Sequence, residues 1–185
     1  LDSSFAHVYT LAQELGLAYH NECRIGTTML QRRTPMTLAE TASILAQTLV
    51  TNAALAAAAG TQEELAILES YLIDASQVVV DIYSRYLFEK AVFERRPEAE
   101  LSVEDFCNLM LDAQRKAYGD GLDAHYLHRY MWAWKPHYYS PNRSFYNFPY
   151  TFGMLFGLGL YTVYQEQGDA FLPAYDDLLS DTGQA

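Results

Sequence analysis

The sequence predicts an all-α protein, and three observations predict it. Apolar residues recur at three- and four-residue spacing through most of the chain, which places them along one side of a helix. Polar capping residues and Gly or Pro stops fall where those patterns begin and end. No segment alternates apolar and polar residues long enough to make a strand.

Residues 4–22 read as a first helix, with Ser3 or Ser4 as N-cap and Phe5, Val8, Leu11, Leu15 and Ala18 at helical spacing. Gly26 and the polar run from Gln31 to Pro35 break the pattern. A second helix is expected over 37–60, with Thr37 as cap and Glu40 three residues on, the spacing of a capping box. Its stretch from 51 to 59 is nearly all small and apolar, so it is expected to be buried on most sides. Thr61 caps a third helix with Glu63 and Glu64 in its first turn, where the helix dipole favours anions. Its apolar pattern runs through Leu65, Leu68, Leu72, Val79, Ile82 and Tyr86 to about Arg95, and Pro97 closes it. Ser102 opens a fourth helix that Gly119-Asp120-Gly121 stops after Tyr118. A short helical piece over 123–134, an aromatic-rich irregular stretch over 135–150, and helices over 150–165 and 169–179 complete the chain.

The 185 residues suffice for one domain with a real core, and a single helical domain over 1–185 is expected. A net charge of −11 with only 12 Lys and Arg excludes nucleic acid as a partner, because phosphate binding needs a basic face. Cys23 and Cys107 fit no metal or CxxC spacing and are expected as buried free thiols, which points to a reducing, cytoplasmic compartment. No targeting segment is visible, and the absence of an initiator Met predicts a fragment, a processed product or a trimmed chain. The most apolar stretch, 150–164, holds three glycines and is too short for a membrane span, so no membrane contact is expected.

Three stretches carry chemistry. In Gln13-Glu14-Leu15-Gly16-Leu17, a carboxylate sits beside two positions one helical turn apart, the layout of the zinc-binding pattern H-E-x-x-H. Glu40 follows 23 residues after position 17, inside Met36-Thr37-Leu38-Ala39-Glu40-Thr41-Ala42-Ser43, a setting that is otherwise apolar or small. Further on come Lys135-Pro136-His137-Tyr138-Tyr139 and Ser144-Phe145-Tyr146-Asn147-Phe148-Pro149-Tyr150. Tyrosines crowd the region from 118 to 150, and hydroxyls on apolar rings suit a wet cleft that grips peptide backbones.

In these stretches and their order, the chain resembles the oligoendopeptidase F branch of the thimet-oligopeptidase-like zinc peptidases. Their zinc helix reads H-E-L-G-H-A-Y-H and their next helix M-T-L-A-E-T-A-S. The resemblance covers essentially the whole chain and implies the C-terminal catalytic part of a longer, zincin-like helical enzyme that cleaves short peptides. It implies Glu14 as general base, Glu40 as metal ligand, and His137, Tyr146 and Tyr150 as contacts to substrate and oxyanion, with the division between the two tyrosines open. It also implies an N-terminal lobe outside this chain, or a homodimer that covers the apolar surface left without one.

The departure is as telling as the match. Gln13 and Leu17 stand where the family has its two zinc-binding imidazoles, so one of three protein ligands remains. Zinc is the family's cofactor, and none is expected to bind here, because a lone carboxylate cannot lower the pKa of water to about 7 or polarise a carbonyl. The expected protein is therefore a catalytically inactive peptidase-like chain. A non-catalytic peptide-binding or helical interaction module that reuses the cleft is the alternative. An active hydrolase with a rearranged site is a third reading, in which Glu14, His20, Glu40 and His137 converge as a carboxylate and imidazole set. Glu40 itself reads equally as a capping residue for Thr37 and as the remnant of a ligand. His7, His125 and His128 carry no motif and read as packing or surface residues.

Overall fold

The computed structural model describes residues 5–183. The chain is all-α, and the described residues contain no strand. Ser3 and Ser4, the expected caps of the first helix, lie outside the described residues. The helices are α1 (Phe5–Cys23), α2 (Thr41–Ala57), α3 (Thr61–Ser76), α4 (Ile82–Arg95), α5 (Val103–Tyr118), α6 (Met131–Trp134), α7 (Phe148–Gln167) and α8 (Leu172–Asp181). No helix among the described residues is long and apolar enough to cross a membrane. Cys23 and Cys107 are both free thiols, the first half-buried and the second buried.

The chain forms two compact units, one of residues 1–74 with 149–185 and one of residues 75–148. In the first, Ala42 and Leu45 of α2 meet Phe171, Tyr175 and Leu179 around α8, with Cys23 of α1 and Tyr164 of α7 packed against them. Tyr19 of α1 stacks on Tyr175 at 6.3 Å and donates its hydroxyl to Asp176, so α1 is pinned to α8 by one apolar and one polar contact. In the second unit, Phe88 of α4 packs on Leu109, Met110 and Ala113 of α5, and Phe106, Trp132 and Tyr138 close the cluster.

The close approach of α1 to α2 comes from small residues. Ala12, Gly16 and His20 repeat every fourth position and are buried, whereas Val8, Leu11 and Leu15 are 48, 51 and 59% exposed. The apolar stripe that predicts α1 is thus not the face it buries. A Cβ on Gly16 would stand 2.5 Å from the Ala42 carbonyl oxygen, so only glycine allows this contact.

Three further expectations are corrected. The capping box of Thr37 and Glu40 does not form, because Met36–Leu38 coil into a 3₁₀ turn and α2 begins only after Glu40, which is itself the N-cap residue and makes no side-chain capping bond. The buried half of α2 is its start, Thr41 to Thr51, and the small apolar run after it is half-buried or exposed. Leu65, Leu72 and Val79 are 60, 60 and 50% exposed, and Ile67 is the one buried residue of α3 among those described. By contrast the box at Ser102 is complete, with Asp105 N–H donating to Ser102 Oγ at 3.2 Å and Ser102 N–H to Asp105 Oδ2 at 2.9 Å.

His20 supplies a pH dependence to the first unit. The Thr182 hydroxyl spends its proton on the Leu179 carbonyl (2.9 Å), so it accepts from His20 across 2.9 Å and the neutral ring carries its proton on Nε2. Burial, with Arg24 adding repulsion, lowers the imidazole pKa from 6.5 to about 4. The unfolded chain takes up the proton first as pH falls, so the contribution is whole above about pH 6.5 and is lost between there and about pH 4. Chemical denaturation across that window should show a loss of about 2 kcal/mol that His20→Gln flattens. An equal slope in the variant would contradict it.

Candidate functional site

In the first unit, α1 presents Gln13 and Leu17 half-buried and Glu14 exposed, consistent with their places on a helix whose Ala12, Gly16 and His20 face the interior. Gln47 Nε2 of α2 donates to Gln13 Oε1 at 3.3 Å. The amide at position 13 is therefore occupied in a bond between the two helices. Glu40 is buried at 5% exposure, and Ser43 Oγ donates to its carbonyl (2.8 Å) and approaches its carboxylate at 3.2 Å. Helix α7 passes the same point so closely that a Cβ on Gly153 would stand 3.0 Å from the Glu40 carbonyl. Tyr150, half-buried one turn before Gly153, shares that face of α7.

The donors at positions 13, 14, 17 and 40 do not fit zinc. A neutral amide engaged with Gln47 and an isobutyl group stand where basic nitrogens are needed, and only the two carboxylates are ligand types. Among the described residues no three His, Cys, Asp or Glu side chains are grouped to hold a metal ion. Nor does His20 join Glu14: its ring is 3% exposed and turned to Thr182 beyond α8, while Glu14 points to solvent.

In the second unit, His137 and Tyr146 lie together. Their rings stack at 5.9 Å with planes 7° apart, and the Arg143 guanidinium covers Tyr146 at 5.5 Å. The segment that carries them is held by Glu89 of α4, a residue the motifs do not mark. Phe145 N–H donates to Glu89 Oε1 at 2.6 Å and Asn147 Nδ2 to Oε2 at 2.8 Å. Burial raises the Glu89 pKa, and the Phe145 N–H opposes the rise. Phe145 has φ +60, a left-handed backbone that costs a non-glycine residue about 1 to 3 kcal/mol. Its ring packs on Phe93 at 5.1 Å and Tyr86 at 5.9 Å, and these contacts with the Glu89 bond keep it there. The one signal in the sequence is a carboxylate on the same face of α4 as Ile82.

His137 and Glu89 also border a cavity of about 360 Å³ whose other walls include Phe88, Phe106, Trp132 and Tyr138. Trp132 Nε1 and Tyr138 Oη are buried without a hydrogen-bond partner among the described residues. The cavity is thus aromatic, with polar groups at its edges.

Glu89→Ala should release this segment. It leaves one buried and one half-buried donor without an acceptor, at about 1 to 3 kcal/mol for the buried one and less for the other, and removes the restraint on Phe145. We expect global stability to fall by about 2 to 4 kcal/mol and the Phe145 amide to lose its hydrogen-exchange protection. A variant with unchanged protection at Phe145 would show that the ring contacts alone hold the turn.

The chain is thus an all-α protein with a buried carboxylate at the start of α2 and an imidazole stacked on a tyrosine before α7. Comparison with family models, with curated proteins and with solved structures found no match.

Proposed function

We propose that this chain is a peptide-binding protein on an oligoendopeptidase F-like catalytic framework whose zinc site has been lost, so that it does not hydrolyse peptides. The observation that carries the reading is the pair Gln13 and Leu17, one helical turn apart beside Glu14, where the resemblance calls for imidazoles. Gln13 spends its amide on Gln47, which supports a structural use of the position rather than an open ligand. The stacked His137 and Tyr146 are suited to hold a peptide backbone, the ring nitrogens and phenol offering donors and acceptors on apolar plates. Tyr150 is a second phenol for the same task by resemblance. Glu14 then acts as an ordinary surface carboxylate and Glu40 as a retained buried one.

The same reading assigns the exposed apolar residues Val8, Leu11 and Leu15 to contact with a second copy or with a lobe outside this chain, and places the protein in the cytoplasm. Peptide titration with a zinc titration and a fluorogenic-peptide assay alongside tests it. Micromolar binding of short peptides, weakened at least tenfold by His137→Ala and unaffected by chelator, is the expected result. Stoichiometric tight zinc together with metal-dependent cleavage would overturn it.

A further inference from the structure

Helices α3 and α4 are joined without a break by a π-helical turn, Gln77–Asp81, in which the Ile82 N–H reaches back to the Gln77 carbonyl. Turns of this kind widen a helix locally and often mark functional sites. This one borders a second cavity in the unit of residues 75–148, about 610 Å³ and separate in its lining from the aromatic one. Its chemistry is set by Asp81, Arg85, Tyr118 and Lys135, with Ser76 and Gln77 as neutral polar neighbours.

The charges in this cavity do not cancel. Arg85, 8% exposed, donates through Nη2 to Asp81 Oδ2, and the Tyr118 hydroxyl donates to Asp81 Oδ1 at 3.0 Å. Both carboxylate oxygens of Asp81 are therefore engaged, and its charge is matched by Arg85. The Nε of Arg85 is buried and has no hydrogen-bond partner among the described residues. Lys135 remains as a second cation with no ion pair among the described residues; its ammonium lies 3.9 Å from the centre of the Trp134 ring. Burial and the Arg85 charge together lower its pKa, which means that its charged form is held at a cost that an anion would relieve. A site with one cation in excess, in a chain of net charge −11, is matched to a monoanion.

We infer that the cavity at the π turn binds a carboxylate through Lys135 and Arg85, and that this carboxylate is the C-terminus of a short peptide. The choice of a peptide rests on the function proposed above. Lys135 and His137 are two residues apart in the chain and line the walls of separate cavities. The positive site would then select for chain ends over internal segments.

The test uses the full chain and tripeptides in two forms, one ending in a free carboxylate and one in an amide, with sodium acetate as a third probe. A charge-assisted bond contributes about 1.5 to 3 kcal/mol, so the acid form should bind at least tenfold more tightly than the amide. Lys135→Gln, at a half-buried position that bears no ion pair, should abolish that preference and leave amide binding unchanged. His137→Ala should weaken both forms by the same factor. Equal binding of the two forms by the parent protein would overturn the inference while leaving peptide binding intact, and a preference that survives Lys135→Gln would overturn it as well. Acetate that shifts the Tyr118 and Gln77 resonances, with no peptide bound in either form, would support the carboxylate site and refute its peptide occupant. Acetate without effect on those resonances would refute the site.

Discussion

Gln13→His with Leu17→His is expected to give a protein that binds zinc stoichiometrically at micromolar concentration or below. The two positions are separated by one turn of α1 and are both half-buried, so imidazoles there would lie on one face. Gly16 between them brings α1 within contact of Ala42, two residues past the buried Glu40, so a third ligand is offered by the neighbouring helix. Two histidines and a glutamate are a catalytic zinc set, with the fourth position left to water. Either single replacement leaves two ligands and should bind at least 10- to 100-fold more weakly. Calorimetric titration with zinc decides it, and Glu40→Ala in the doubly replaced protein should remove the gain. A double variant with no zinc uptake would count against descent of this framework from a metallopeptidase.

Gly16→Val should strongly destabilise the first unit. Its Cβ would fall 2.5 Å from the Ala42 oxygen, 2.9 Å from the Ala42 carbonyl carbon and 2.9 Å from the Ala46 Cβ. Two of these three are backbone atoms, which cannot rotate away as a side chain can, so α1 and α2 must separate. Overpacking costs about 1 to 3 kcal/mol where side chains yield, and the upper end or beyond is expected where they cannot. Loss of glycine from a helix interior returns only about 0.5 to 1 kcal/mol, too little to change the sign. A thermal midpoint lower by about 6 to 12 °C is therefore expected. Gly159 of α7 is the control: nothing lies within 4 Å of its Cβ position, so Gly159→Ala should raise stability by about 0.5 to 1 kcal/mol. Equal effects at the two glycines would refute the packing argument.

Much of the helix layout was legible because its signals are local. Ser102 and Asp105 satisfy each other's backbone within one turn, and Gly119 takes φ +52 to end α5, so both ends could be read from neighbouring residues. The start of α2 is not legible from spacing for the same reason. Thr37 and Glu40 have capping spacing, yet Pro35 and the 3₁₀ turn after it postpone the helix, and spacing alone does not tell a 3₁₀ turn from the first turn of an α-helix. The candidate site divides in the same way. An amide and an isobutyl group at positions 13 and 17 are poor and absent zinc ligands in any fold, so that statement needs no coordinates. The role of Glu89 was not legible, since its partners Phe145 and Asn147 lie 56 and 58 residues away and no periodicity reports such a distance.

From its own residues the chain determines an all-α class, a net charge of −11, and an amide and an isobutyl group at positions 13 and 17. Tertiary structure alone decided that α1 turns Ala12, Gly16 and His20 inward and leaves Val8, Leu11 and Leu15 at the surface, and that Arg85 and Lys135 face one cavity. The reason is physical. Periodicity reports which side of a helix is apolar, whereas burial depends on how closely the neighbouring backbone can approach, and that is set by the smallest residues in the contact.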